Sequence, residues 1–158
     1  ITSIPYSIIE PFIKKLTKEN FDELIMMMGK NYCMNAIDKK ITYLSLMTNA
    51  FFNIEKIIDV PKEAFNPSPR VTSCLVRLTP KKELTKTEEL FQNMYKLDHK
   101  KCKNAIIESL IIRDNLTQKE AKEIVNSLNI DENILNKPFF LIKNEELETL
   151  YNKLLQNN

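Results

Sequence analysis

The sequence predicts an α/β unit followed by a small all-helical one, and three observations carry that expectation. Residues 1–84 mix apolar runs of strand length with helix-like periodicity, and Pro61, Pro67, Pro69 and Pro80 crowd their last part. From Thr85 onward, apolar residues recur at three- and four-residue spacing, the signature of amphipathic helices. Lys81 to Thr87, charged and free of large aromatics, is the natural linker, and it predicts a boundary between a unit 1–84 and a unit 85–158.

Each element has its own signal. Ile9, Phe12, Ile13 and Leu16 are spaced for one face of a helix over 8–18. Residues 21–28, bounded by Asn20 and Gly29, form a mostly apolar run expected of a strand buried on both faces. A helix is predicted over 32–40, then strands over 44–52 and 54–60 joined at Asn53. A third strand follows over 70–78, with Val71, Ser73, Leu75 and Arg77 on one face. This order fits the second half of a parallel sheet whose edge is finished by an antiparallel pair. In the second unit Leu90, Met94 and Leu97, then Cys102, Ile106 and Leu110, then Ala121, Ile124, Val125 and Leu128 mark four or five successive helices. Thr117 to Glu120 is a capping box opening one of them, and Asn144-Glu145-Glu146 sets acids at the positive end of the last.

Composition bounds the function. The chain has 158 residues, 43% hydrophobic and 28% charged, which is ordinary for a globular protein. Twenty-three Lys and Arg against twenty-one Asp and Glu leave a net charge of +2, so a nucleic acid or a membrane must be met by a local patch. Gly29 is the single glycine, and neither G-x-G-x-x-G nor a P-loop can be written with one. Cys33, Cys74 and Cys102 are odd in number, far apart and without C-x-x-C, so unpaired thiols in a reducing compartment are expected and a zinc site is not. His99, the single histidine, is expected on the surface. No apolar run reaches the roughly 18 residues of a membrane span, and the start is not a signal sequence, so a cytoplasmic protein without a membrane partner is expected. The chain begins with Ile1 rather than Met, which suggests a piece of a longer one.

Two segments carry chemistry. Ser3-Ile4-Pro5-Tyr6 precedes a helix, and ligands of open α/β sheets bind outside the carboxyl ends of strands. There a small polar side chain and the carbonyl before proline accept hydrogen bonds from an exocyclic amine, while the aromatic stacks on a base. The second is Ala64 to Ser73, where Pro67 and Pro69 stiffen a loop and make Phe65 a fixed aromatic surface suited to a flipped base. Taken singly, the first is also what a proline turn before a helix looks like, and the second an ordinary proline-rich connection.

Together and in this order, the two segments resemble the rRNA adenine dimethyltransferase (KsgA) family, with its N-[LI]-P-[YF] and F-x-P-x-P-x-V-x-S motifs. Phe65, Pro67, Pro69, Val71 and Ser73 fill the second pattern completely. Similarity continues at Phe21-Asp22, Leu44-Ser45, Val60-Pro61, Lys103-Asn104-Ala105 and the closing Leu141 to Leu154. The resemblance implies the C-terminal part of a Rossmann-like methyltransferase sheet followed by a small helical domain that faces RNA. It implies an S-adenosylmethionine-dependent enzyme placing methyl groups on N6 of adjacent adenosines in small-subunit rRNA, without a metal. Residue by residue it assigns Ser3, Ile4, Pro5, Tyr6 and Phe65 to the target adenine, and Ser3 and Pro5 also to the cofactor. Lys100, Lys101 and Lys103 lie where the family has a basic helix, and with Arg70 they are expected to bind phosphates. A solvated helix face is the plainer reading of those lysines.

The departures fall on contacts, not on the core. Ser3 stands where the family has asparagine, and its hydroxyl is shorter than an amide. Gly29-Lys30-Asn31 replaces Gln-x-Glu, Thr42-Tyr43 replaces Gly-Arg, Leu97-Asp98 replaces His-Arg or Gln-Arg, and the loop between Asp38 and Leu44 is shorter. The family's Gly-rich cofactor loop and first strands would precede Ile1. The expectation is therefore a methyltransferase segment, monomeric and directed to the pre-ribosomal small subunit, that is inactive and binds no S-adenosylmethionine alone. The alternatives are a degenerate relative serving as an RNA-binding or ribosome-assembly module, and a protein-interaction domain with no RNA role.

Overall fold

The computed structural model describes residues 2–156, apart from the side chains of Thr2, Ser3 and Tyr6. It divides into two compact units, Ile1–Lys40 with Leu44–Lys82 and Ile41–Tyr43 with Glu83–Asn158.

The first unit is a four-stranded sheet with helices. Its strands are β1 (Thr2–Ser3), β2 (Leu24–Gly29), β3 (Phe52–Val60) and β4 (Ser73–Pro80), in the order β1-β2-β4-β3. β1 runs parallel to β2, with Ser3 opposite Met27, whereas β4 is antiparallel to both β2 and β3. A parallel strand finished by an antiparallel pair is the arrangement the sequence predicts. On β2 and β4 the alternation is clean: Met26, Met28, Cys74, Val76 and Leu78 are buried, and Arg77 on the opposite face reaches Glu23 at 2.8 Å and Glu55 at 3.5 Å. β3 lies at the edge and slips register between Lys56 and Ile58, a bulge of the kind that blunts edge pairing.

Three helices accompany the sheet. After a 3-10 turn over Tyr6–Ile8, α1 (Ile9–Leu16) buries Ile9 and Ile13 as its periodicity predicts. α2 (Lys30–Ile37) leaves β2 directly, with Gly29 as its N-cap, and buries Tyr32, Cys33 and Ala36. α3 (Tyr43–Phe51) replaces the strand expected over 44–52. Its buried residues, Tyr43, Leu46, Met47, Ala50 and Phe51, follow helical spacing, which the run of apolar neighbours around them obscures. Its polar groups are satisfied by carbonyls: the Thr48 hydroxyl donates to Leu44 at 2.9 Å, and the Asn49 amide to Ser45 at 3.0 Å and to Ala36 at 2.8 Å. The Tyr32 hydroxyl lies 2.6 Å from that of Thr48, and burial raises its pKa above the ordinary tyrosine value.

Two further expectations are corrected. The strand expected over 70–78 begins at Ser73; Ser73, Leu75 and Arg77 share a face as expected, and the opposite face, Cys74, Val76 and Leu78, is the one in the core. The thiols of Cys33 and Cys74 are not isolated, because the packing of α2 on β4 brings their sulfurs into contact, a proximity that wide sequence spacing hides. Among the described residues no helix is long and apolar enough to cross a membrane.

The second unit contains α4 (Lys86–Lys96), α5 (Cys102–Asp114), α6 (Gln118–Ser127), α7 (Glu132–Leu135) and α8 (Asn144–Leu155), with a 3-10 turn over Phe139–Leu141. Capping boxes open α4 at Thr85 and Glu88 and α6 at Thr117 and Glu120. The core is organised by an aromatic cluster. Tyr43 packs edge-on against Tyr95 with centroids 5.1 Å apart, and Phe139 sits 5.6 Å from Tyr43 and 5.1 Å from Tyr95. Polar ends are paired around it, since the Tyr95 hydroxyl donates to the Tyr43 carbonyl at 2.7 Å and the Tyr43 hydroxyl to Asp98 at 3.3 Å. Cys102, fully buried at the head of α5, has its thiol pushed up to about 11 by burial, which keeps it neutral and inert at physiological pH.

This ranking of contacts is measurable. Phe139→Ala removes a fully buried ring and is expected to cost about 3–5 kcal/mol, whereas Thr117→Ala, which removes one exposed cap, costs about 1 kcal/mol. Urea unfolding of both variants checks it, and equal midpoints would contradict the packing described.

Candidate functional site

The site forms where β1 and β2 end. Ile4 continues the parallel ladder, its N–H donating to the Met27 carbonyl at 3.2 Å, and Pro5 then turns the chain, its carbonyl accepting from Ile8 at 3.1 Å. On the other side of β2, Gly29 pairs with Ser73, and the Lys30 N–H extends the ladder to the Thr72 carbonyl at 3.0 Å. The carboxyl end of β2 is thus held between the Ile4-Pro5 turn and the end of the proline loop. A cavity of about 720 Å³ opens there, lined by Ile4, Pro5, Met27 to Asn31, Lys62 and Pro69 to Ser73.

Local chemistry shapes the proline loop. A 3-10 turn over Lys62–Ala64 closes with Ala64 N–H on the Pro61 carbonyl at 3.0 Å, and the Asn66–Pro67 peptide is cis. The Ser68 hydroxyl donates to the Lys62 carbonyl at 2.9 Å, folding the loop back so that Lys62 and Arg70 meet at one cavity. Gly29 has φ of −57°, so the single glycine serves no left-handed turn.

The walls are apolar, from Ile4, Pro5, Met27, Met28, Pro69 and Val71, and the charged members Lys30, Lys62 and Arg70 are all cationic. Apolar walls with cations and, among the described residues, no carboxylate, histidine or cysteine suit a planar base attached to phosphates. They also do not fit S-adenosylmethionine, whose ribose diol finds no carboxylate acceptor in the lining and whose methionine half finds no glycine-rich turn.

The structure brings together Ile4, Pro5 and Arg70 of the residues expected from sequence. The side chains of Ser3 and Tyr6 lie outside the described residues. Phe65, half-buried beyond the 3-10 turn, is not part of the lining. Lys30 and Lys62 are pocket cations that sequence reasoning missed, although the position of Lys30 directly after a strand is a signal of a ligand-facing turn. The remaining expected cations belong to the helical unit: Lys101 is the exposed N-cap of α5, Lys103 lies in its first turn, and Lys100 is held by both Glu108 oxygens at 2.7 Å. Among the described residues no cluster of three or more His, Cys, Asp or Glu is placed to hold a metal.

An open α/β sheet with a pocket at its strand ends, joined to a helical unit, defines the class. The family model for ribosomal RNA adenine dimethylase matches residues 1–146, and the chain belongs to that family. A probable ribosomal RNA small subunit methyltransferase A from Pyrococcus abyssi is 30% identical over 155 residues, covering 95% of this chain and 56% of that protein. A ribosomal RNA small subunit methyltransferase A from Borreliella burgdorferi is 28% identical over 152 residues, covering 90% and 53%. The chain therefore spans about half the length of the curated relatives it matches. A solved dimethyladenosine transferase from Plasmodium falciparum shares the fold, with a TM-score of 0.52 at 20% identity over 98% of this chain and 66% of that one.

One pocket cation is tied to a titrating partner. Lys30 lies 3.5 Å from Asp59 and Lys56 lies 3.3 Å from it, and the Lys56 hydrogen bond first, then the Lys30 charge, hold the Asp59 carboxyl below its ordinary value. A lowered carboxylate pKa stabilises above the unfolded value and loses that contribution as pH falls through the folded one. With both side chains exposed the effect on stability is small, and the titration itself is the readout. Carboxyl NMR is expected to show Asp59 titrating low, with Lys56→Met raising its pKa more than Lys30→Met. The reverse order would contradict the geometry.

Proposed function

We propose that this chain forms the acceptor-base side of an rRNA adenine N6,N6-dimethyltransferase acting on adjacent adenosines of small-subunit rRNA. The observation that carries the reading is that Ile4-Pro5 and Pro69 to Ser73, the two motif segments far apart in sequence, wall one cavity around the end of β2. In this reading the apolar walls receive a flipped adenine, and Lys30, Lys62 and Arg70 hold its flanking phosphates. The chain's own residues would then work by orientation: an exocyclic amine fixed in place needs positioning more than acid–base help. The helical unit adds sequence-independent affinity through Lys101 and Lys103. We place the protein on the pre-ribosomal small subunit, in the cytoplasm, as a monomer.

The methyl donor is S-adenosylmethionine in this reading, and its binding requires residues that this sequence does not contain. The chain alone is thus expected to show no heat of S-adenosylmethionine binding by calorimetry, and micromolar binding would overturn that. Fusion behind the cofactor-binding portion of the Pyrococcus abyssi relative is expected to restore methylation of small-subunit rRNA transcripts, with Ser3→Asn raising the rate. A fusion that binds cofactor yet transfers no methyl group with either residue would remove the catalytic reading.

The second reading, a non-catalytic RNA-binding or ribosome-assembly module, is favoured by Ser3 in place of the family's asparagine and by Asn31 in place of its glutamate. It predicts RNA binding that is indifferent to Ser3→Asn.

A further inference from the structure

We propose that Phe140 is a base-stacking platform for single-stranded RNA, set in the turn before α8 and tied to the basic loop that precedes α5. The inference rests on the RNA-facing reading of the helical unit and adds to it a contact with bases rather than phosphates.

The Phe139–Leu141 turn splits its apolar residues between two tasks. Phe139 is fully buried in the Tyr43 and Tyr95 cluster, whereas Phe140 is 49% exposed and Leu141 55% exposed. Burial of Phe139 accounts for the turn, and packing within the unit leaves the neighbouring ring in water.

The backbone at Phe140 is tied to the basic loop. The Phe139 N–H donates to the Lys100 carbonyl and the Phe140 N–H to the Asp98 carbonyl, both at 3.0 Å, while the Cys102 N–H donates to Lys137 at 2.8 Å. Lys101 and Pro138 form an isolated antiparallel bridge between the same two segments. An aromatic fixed by backbone bonds loses little conformational entropy when a base stacks on it.

Charge selects the partner. Segments 98–103 and 137–143 carry five lysines, the exposed His99 and one acid, Asp98, which is buried against the Tyr43 hydroxyl. Glu108 neutralises Lys100, Glu146 neutralises Lys137 and also feels the charge of Lys143, while Lys101 and Lys103 have no ion pair among the described residues. An aromatic amid unpaired cations matches a single strand, whose phosphates meet the lysines and whose base meets the ring.

The test uses the whole chain and two fluorescent probes, a short oligoadenylate RNA and an abasic strand of the same length. Phe140→Ala is expected to weaken oligoadenylate binding about tenfold, with no effect on the abasic strand and no change in salt slope. Phe140→Tyr keeps the affinity, and Phe140→Leu, which retains apolar bulk without a ring, loses it. Lys101→Glu with Lys103→Glu weakens both probes and flattens the salt slope. If the lysine variant weakens binding while Phe140→Ala and Phe140→Leu stay within about twofold, the RNA reading stands and the stacking platform falls. Equal losses on both probes with Phe140→Leu also overturn it. If no variant matters, the RNA-facing reading falls with it. Loss of binding to anionic phosphatidylserine vesicles with RNA binding intact reassigns the patch to a lipid surface.

Discussion

Everything at the candidate site depends on β2 being paired on both sides near its carboxyl end. The parallel ladder to β1 and the antiparallel ladder to β4 converge on Met27 to Gly29, and the Lys30 to Thr72 hydrogen bond carries the second one residue past the strands. One strand end therefore fixes the position of two loops from distant parts of the chain. The register matters because a slip of one residue on β4 would turn Cys74, Val76 and Leu78 out of the core. It would also carry Pro69 to Ser73 away from Ile4 and Pro5. The core residues of β2 and β4 and the walls of the cavity are thus specified by the same hydrogen bonds.

The helical unit solves a different problem. Its core is anchored by aromatic rings whose polar ends are all paired, and its lysines are partly neutralised by acids from α5 and α8. Burial of Phe139 sets the backbone of the following residues, so a stabilising contact also dictates what the surface displays. The chain reaches a net charge of only +2, yet each unit keeps a small set of cations with few acids among them. Local placement, not total charge, decides whether a polyanion is attracted.

Sequence made the motif positions, the sheet's antiparallel finish and most helices legible, because each leaves a short-range pattern. α3 was hidden because Leu44 and Phe52 flank its buried stripe with further apolar residues, so helix and strand periods both fit until Thr48 and Asn49 are seen bonding to carbonyls one turn back. The core face of β4 was ambiguous for a related reason, since Ser73, Leu75 and Arg77 alternate as regularly as Cys74, Val76 and Leu78. The Cys33 and Cys74 contact and the arrival of Lys62 at the cavity are tertiary facts. No spacing rule encodes them, and the Ser68 to Lys62 hydrogen bond that produces the latter closes a loop of irregular shape.

Around the cavity the departures from the family pattern separate fold from chemistry, whereas Tyr43 and Asp98, also departures, are built into the core of the helical unit. Pro67, Pro69, Val71 and Ser73 keep the loop that walls the cavity, and Pro5 keeps the turn opposite. Gly29-Lys30-Asn31 changes what the cavity offers, setting an amide beside Lys30 where the family pattern has an acid. Without a carboxylate in the lining, the cavity is less able to hold ribose hydroxyls and more favourable to phosphate. A pocket built by backbone pairing tolerates such side-chain exchange, because the ladders between β1, β2 and β4 do not pass through the altered groups.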